Sequence, residues 1–141
     1  MKILLAVDGS SYTKKMLAYL STHDELFGAA ANDYTVITVQ PTLPPRARAA
    51  VGKDVMDGYY SEEAEKIMAP VSKFLTRHGI DAKSFWKVGP AGETIAKFAD
   101  AGKFDLLIMG SHGHNALANL VMGSVATKVL ANGKVPVLLV R

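Results

Sequence analysis

Strict alternation constrains this chain more than any other feature. Five short apolar runs of strand length (Lys2–Val7, Tyr34–Val39, Asp81–Val88, Asp105–Met109 and Val135–Val140) are separated by segments whose apolar residues recur at helical spacing. Ser10 and Ser11 suit the start of a helix reaching about Leu26, with Met16, Leu17 and Leu20 on one face. A second helix is predicted from Ser61, with Glu62 and Glu63 at its positive end and Ile67, Met68, Val71, Phe74 and Leu75 continuing its apolar face. Pro70 deletes a hydrogen bond inside that pattern and predicts a kink or two shorter helices; Gly79 stops it. A third helix carries Ile95, Phe98 and Ala99 between Gly89-Pro90 and Gly102, and a fourth runs from Ser124 to about Ala131. The stretch from Pro41 to about Gly58, with Pro44-Pro45 inside it, reads as a long loop.

Alternating strands and helices imply an α/β fold: a parallel sheet with helices on both faces. Strands buried on both faces read as continuous apolar runs, as four of the five do. The third is interrupted by Lys83 and Lys87, as an exposed edge would be, and Trp86 on it is expected to be partly buried. Right-handed crossovers then give a doubly wound five-stranded sheet of order 3-2-1-4-5. At 141 residues the chain is one domain's worth, read as a single domain over 1–141.

Composition excludes several chemistries. No cysteine is present, which removes disulfides, thiolate catalysis and cysteine-held metals. The apolar run Ile3–Val7 is too short for a signal-peptide core and is cut off by Asp8, so no export signal is read and a cytoplasmic location is expected. No apolar stretch approaches the ~20 residues of a membrane span. The formal charge is +3 with scattered Lys and Arg, which argues against nucleic acid as the main ligand and suits a small anion.

In the order 3-2-1-4-5, strands one and four are neighbours whose connections leave toward opposite faces, and ligands of open α/β sheets bind beyond the carboxyl ends at that point. The first strand ends at Val7-Asp8-Gly9-Ser10 and the fourth at Met109-Gly110-Ser111-His112-Gly113. From Gly113, nine residues lead to Gly123-Ser124 at a helix start. Glycines that admit close approach and φ > 0, followed by unpaired helix amides, make a cradle for phosphates. Asp8 is placed to accept hydrogen bonds from ribose hydroxyls. Each feature has a plainer reading: Asp8 as a turn residue, Gly110 and Gly113 as a strand stop, Gly123-Ser124 as a helix cap.

The pattern Gly-x2-Gly-x9-Gly-Ser, with Ala6-Val7-Asp8-Gly9-Ser10 before it and Val135-Pro-Val-Leu-Leu-Val140 after it, resembles the ATP-binding signature of the universal stress proteins, and the resemblance covers the whole chain. It implies ATP, with Mg²⁺, as cofactor. Asp8 and Gly110 would hold the ribose, Ala6, Val39 and Met109 the adenine, and Gly113, Gly123, Ser124 and the Val125 amide the phosphates. It also implies a homodimer through strand 135–140, an apolar edge that invites pairing. Where the family often has Arg or Lys after the second glycine, this chain has His114, a weaker partner for phosphate at neutral pH.

The implied function is a nucleotide-dependent regulator or signalling module of stress response. The alternatives are a slow ATPase or phosphotransferase, or a dimeric scaffold without nucleotide. A Walker P-loop and a GxGxxG motif are both absent, and the glycine loop has no lysine and no convincing base, so no catalytic residue is assigned and at most slow hydrolysis is expected. His112 and His114 lack a third partner for a metal, and Arg46, Arg48 and Lys53 in the 41–58 stretch are read as solvated surface or a lid over phosphates.

Overall fold

The computed structural model describes residues 1–141 except 116 and 118, which fall in the loop between Gly110 and Gly123. Its strands are β1 (Lys2–Ala6), β2 (Asp33–Gln40), β3 (Lys83–Val88), β4 (Leu106–Gly110) and β5 (Val137–Val140). They pair in parallel in the order β3-β2-β1-β4-β5, the order the sequence implies.

The helices are α1 (Ser11–Thr22), α2 (Asp24–Phe27), α3 (Pro45–Ala50), α4 (Lys53–Arg77), α5 (Ala91–Ala101) and α6 (Ser124–Asn132). Side chains of successive strand residues point to opposite faces, so the apolar runs feed two cores. Ile3, Leu5, Val7 and Ile108 pack with Met16, Leu17 and Leu20 of α1 and Met68, Val71 and Leu75 of α4. Leu4, Ala6, Leu107 and Met109 pack with Ile95 and Ala99 of α5 and Ala126 and Val129 of α6. Each fully buried Leu or Ile is worth roughly 1.5–3 kcal/mol, so the two cores hold the strand ends rigidly where the connections diverge.

Four expectations are corrected. The 41–58 stretch is mostly helical: α3 occupies Pro45–Ala50 and α4 already begins at Lys53. Pro45 sits in the first turn of α3, where its missing N–H costs nothing, and Ala47, Ala49 and Ala50 are strong helix formers. Of the kink or two shorter helices expected at Pro70, the second is excluded: α4 continues as one helix through Pro70, which is exposed on the side away from the buried stripe Ala64, Met68, Val71 and Leu75. The first helix stops at Thr22 rather than near Leu26. Thr22 Oγ1 bonds to the carbonyls of Ala18 and Tyr19, and His23 Nδ1 to that of Tyr19, so side chains compete with the backbone there. Trp86 is 41% exposed, and all of β3 is exposed along with it.

Candidate functional site

Beyond the carboxyl ends of the strands lies one cleft of about 730 Å³, within the range of small-ligand sites. Every strand but β5 sends residues to it or to its rim: Ala6 to Asp8 at the end of β1, Val39, Pro41 and Thr42 around the end of β2, Gly89-Pro90 after β3, and Met109 to His114 at the end of β4. The helix α6 closes one side with Gly123 to Ala126. All nine residues singled out from the sequence (Ala6, Asp8, Val39, Met109, Gly110, Gly113, Gly123, Ser124 and Val125) line this single cleft.

The apolar part follows from strand pairing. Ala6 and Met109 are Cα partners across β1 and β4, and Val39 lies two residues beyond Ile37, the partner of Ala6 on β2. Ala6 and Met109 are buried in the core that α5 and α6 cover.

Asp8 divides its work between its two oxygens. Oδ1 accepts from the Ser10 amide at 2.9 Å and from the Thr13 hydroxyl at 3.0 Å, while Thr13 Oγ1 accepts from the Asp8 amide at 3.1 Å. This small ring fixes the carboxylate over the start of α1. Oδ2 lies against Gly113, so close that a Cβ at 113 would come within 2.9 Å of it. Among the described residues Oδ2 has no hydrogen-bond partner, which leaves it available to a donor in the cleft.

The loop glycines are needed for a different reason from the one expected. Positive φ occurs at Gly9, Gly79 and Gly89 but at none of Gly110, Gly113 and Gly123. What these three allow is close passage of chain against chain. A Cβ at Gly110 would meet Tyr12 Cβ at 2.5 Å, and one at Gly123 would meet His112 Cα at 3.1 Å. The Gly123 amide donates to Ser111 O at 2.7 Å, which pins the start of α6 to the end of β4. No side chain caps α6 and its first turn holds no acidic residue, so its positive end faces the cleft uncompensated.

The two histidines brace the loop. His112 Nε2 lies 2.6 Å from the Leu120 carbonyl, which can only accept, so that nitrogen carries the proton; Nδ1 then accepts from Ser111 Oγ at 2.8 Å. His114 Nε2 by the same logic donates to the Asp8 carbonyl at 2.7 Å and ties the two loops together. Among the described residues no group of three potential metal ligands forms.

Sequence reasoning missed Thr13, five residues on from Asp8 in the first turn of α1, and the rim residues Thr42, Gly89 and Pro90. Gly89-Pro90 was legible as a turn, yet only the closeness of the β2 and β3 ends, where the Gly89 amide donates to Gln40 O at 2.9 Å, brings it to the cleft.

The family model for the universal stress protein family matches residues 1–141. Universal stress protein Slr1230 of Synechocystis is 32% identical over 99% of this chain, which spans 42% of that relative's length. The solved structure of protein MJ0577 of Methanocaldococcus jannaschii superposes with a TM-score of 0.81 at 28% identity, covering 99% of this chain and 94% of that one. The universal stress protein from Archaeoglobus fulgidus in complex with dAMP shares the fold, with a TM-score of 0.65 at 21% identity over 100% of this chain and 98% of that one. No described helix is long and apolar enough to cross a membrane. By the match along its whole length, the chain belongs to the universal stress protein family.

Proposed function

We propose that the cleft binds ATP with Mg²⁺ and that the protein acts as a nucleotide-dependent regulator rather than a fast enzyme. One observation carries this: residues suited to base, ribose and phosphate, far apart in sequence, line one cleft. Ala6, Val39 and Met109 offer an apolar slot for adenine. Asp8 Oδ2 offers an acceptor for a ribose hydroxyl, with Gly110 beside it. The amides of Ser124 and Val125 at the start of α6, with that of Gly113, offer backbone donors to the phosphates, and Gly123, whose own amide is spent on Ser111 O, lines their approach. Mg²⁺ would be held mainly by the phosphates and water, as is usual for this ion. The dAMP complex of the Archaeoglobus relative supports an adenine nucleotide as the ligand class.

The cleft lining includes no lysine or arginine among the described residues, which removes the charge clamp of phosphoryl transfer. Turnover well below the ~10 s⁻¹ median of enzymes is expected. The second element of the proposal is a homodimer through β5, whose residues Val137 to Val140 carry no charge on an outer edge of the sheet.

Ser124→Asp tests the nucleotide reading. Ser124 is exposed at the first position of α6, where an aspartate favours the helix dipole by about 0.3–1 kcal/mol but repels phosphate. The apo variant is expected to melt at or above the wild-type temperature while losing most ATP-induced stabilisation. A variant stabilised by ATP as fully as wild type contradicts the phosphate assignment.

A further inference from the structure

The two edges of the sheet are finished differently. Every residue of β5 is partly or fully buried, whereas all of β3 is exposed, Phe85, Trp86 and Val88 included. Only one side of β3 is paired, to β2. The ladder fixes which backbone groups that pairing uses. The Gly89 amide donates to Gln40 O, and along a parallel strand alternate residues turn both N–H and C=O to the same neighbour. Counting back from Gly89, the backbone of Lys87, Phe85 and Lys83 faces β2, and Ser84, Trp86 and Val88 present N–H and C=O on the open side. The side chains alternate between the faces of the sheet as well. Phe85 packs on Phe98 of α5 with ring centroids 5.5 Å apart, and Lys87 Nζ lies 5.9 Å from the centroid of that same ring, so Lys83, Phe85 and Lys87 share the α5 face. The strand itself carries no acid, and among the described residues the one ion pair is Lys66–Glu63, so neither lysine of β3 is paired there.

We propose that β3 is a docking edge for an extended, acidic segment of a partner protein, which joins the sheet as a further strand. The open backbone groups of Ser84, Trp86 and Val88 supply the pairing, as in other strand additions. The lysines choose the occupant. Side chains directly opposite on neighbouring strands stand close enough for opposite charges to attract and like charges to repel. A strand that fits therefore carries two acids four residues apart, opposite Lys83 and Lys87, with an apolar residue between them opposite Phe85. A second copy of β3 paired antiparallel about Phe85 would set Lys83 against Lys87 twice, so the same lysines that attract an acidic strand oppose self-pairing. The strand runs directly into Gly89-Pro90 on the rim of the cleft, which puts the partner beside it. The docking edge stands on the sheet alone and does not depend on the nucleotide reading.

Trp86 is the single tryptophan of the chain, so its fluorescence reports on this edge. The test titrates the acetylated and amidated peptide Thr-Glu-Thr-Val-Thr-Glu-Thr, which presents the same face in either strand direction, and its counterpart with lysine in place of glutamate. Wild type is expected to give a saturable blue shift of Trp86 emission with the acidic peptide and to bind the lysine peptide at least about fivefold more weakly. Ser84→Pro removes an outward N–H and leaves the ladder to β2 intact, a place where an edge strand accepts proline, and is expected to abolish the response. Lys83→Glu combined with Lys87→Glu is expected to reverse the preference in favour of the lysine peptide, which keeps the test decisive should the proline variant fail to fold by circular dichroism. No emission change up to millimolar acidic peptide, equal binding of both peptides, or an undiminished response in folded Ser84→Pro overturns the proposal. A wild-type mass by light scattering that exceeds that of Ser84→Pro without any peptide gives the edge to another copy of the chain and overturns it as well.

Discussion

At the scale of single residues, side chains serve the fold and the cleft with different atoms. Asp8 spends Oδ1 on Ser10 and Thr13 and leaves Oδ2 to the cleft. The glycines at 110 and 123 admit neighbouring backbone, so a bulky residue at 123 would press on His112 before any phosphate arrived, which makes Ser124 the cleaner position to test. Away from the cleft, Tyr34 on β2 is buried and its hydroxyl donates to the Phe27 carbonyl, closing α2 onto the sheet. Burial, with Asp24 nearby, pushes its pKa up from 10.0 to about 12. The folded state therefore holds this proton more tightly than the unfolded chain does. The stabilisation is whole below pH 10 and is lost as pH rises toward 12, with a loss on the order of 1–3 kcal/mol. Tyr34→Phe is expected to cost about 1 kcal/mol at neutral pH and to remove that part of the alkaline loss. Urea melts at pH 8, 10 and 11.5 check this, and parallel pH profiles for the two proteins would contradict it.

At the scale of elements, the strands and their order were legible because parallel buried strands leave continuous apolar runs, and two lysines mark β3 as an edge. The two loops of the cleft were legible for the same reason: strand order puts them side by side. What was not legible depended on contacts distant in sequence. The α3–α4 segment carries Pro44, Pro45 and Gly58, local signals for a loop. Yet α4 extends back to Lys53 and buries Tyr60, whose hydroxyl accepts from the Leu43 amide at 2.9 Å. Gly92 illustrates the same point. In sequence it is one glycine near a helix start. In the fold it is where α5 crosses α6, and a Cβ there would meet Lys128 Cβ at 2.3 Å and the Val125 carbonyl at 3.0 Å. Gly92→Ala is expected to destabilise by about 1–3 kcal/mol through overpacking and to weaken ATP binding by shifting the turn of α6 that carries Val125. Thermal melts with and without ATP check both effects, and an alanine variant as stable as wild type would show that the helices part without cost.

At the scale of the whole molecule, the two sheet edges differ in chemistry. Lys83 and Lys87 guard β3, a usual defence of an exposed strand. The strand β5 has no such guard, and Leu120 and Val121, in the loop between β4 and α6, are exposed as well. A homodimer that pairs β5 with its symmetry mate is expected, and light scattering at tens of micromolar reads it directly: a dimer mass supports the pairing and a monomer mass contradicts it. The cleft opens at the ends of the strands rather than along either edge, so such a dimer would leave both clefts accessible. The central claim, that this cleft holds an adenine nucleotide, is tested most directly by titrating ATP with Mg²⁺ into the folded wild-type protein, with GTP as the comparison. Saturable binding of ATP in the micromolar range or tighter, and clearly weaker binding of GTP, is the expected result; a folded protein that gives no binding heat with ATP up to millimolar concentration contradicts it.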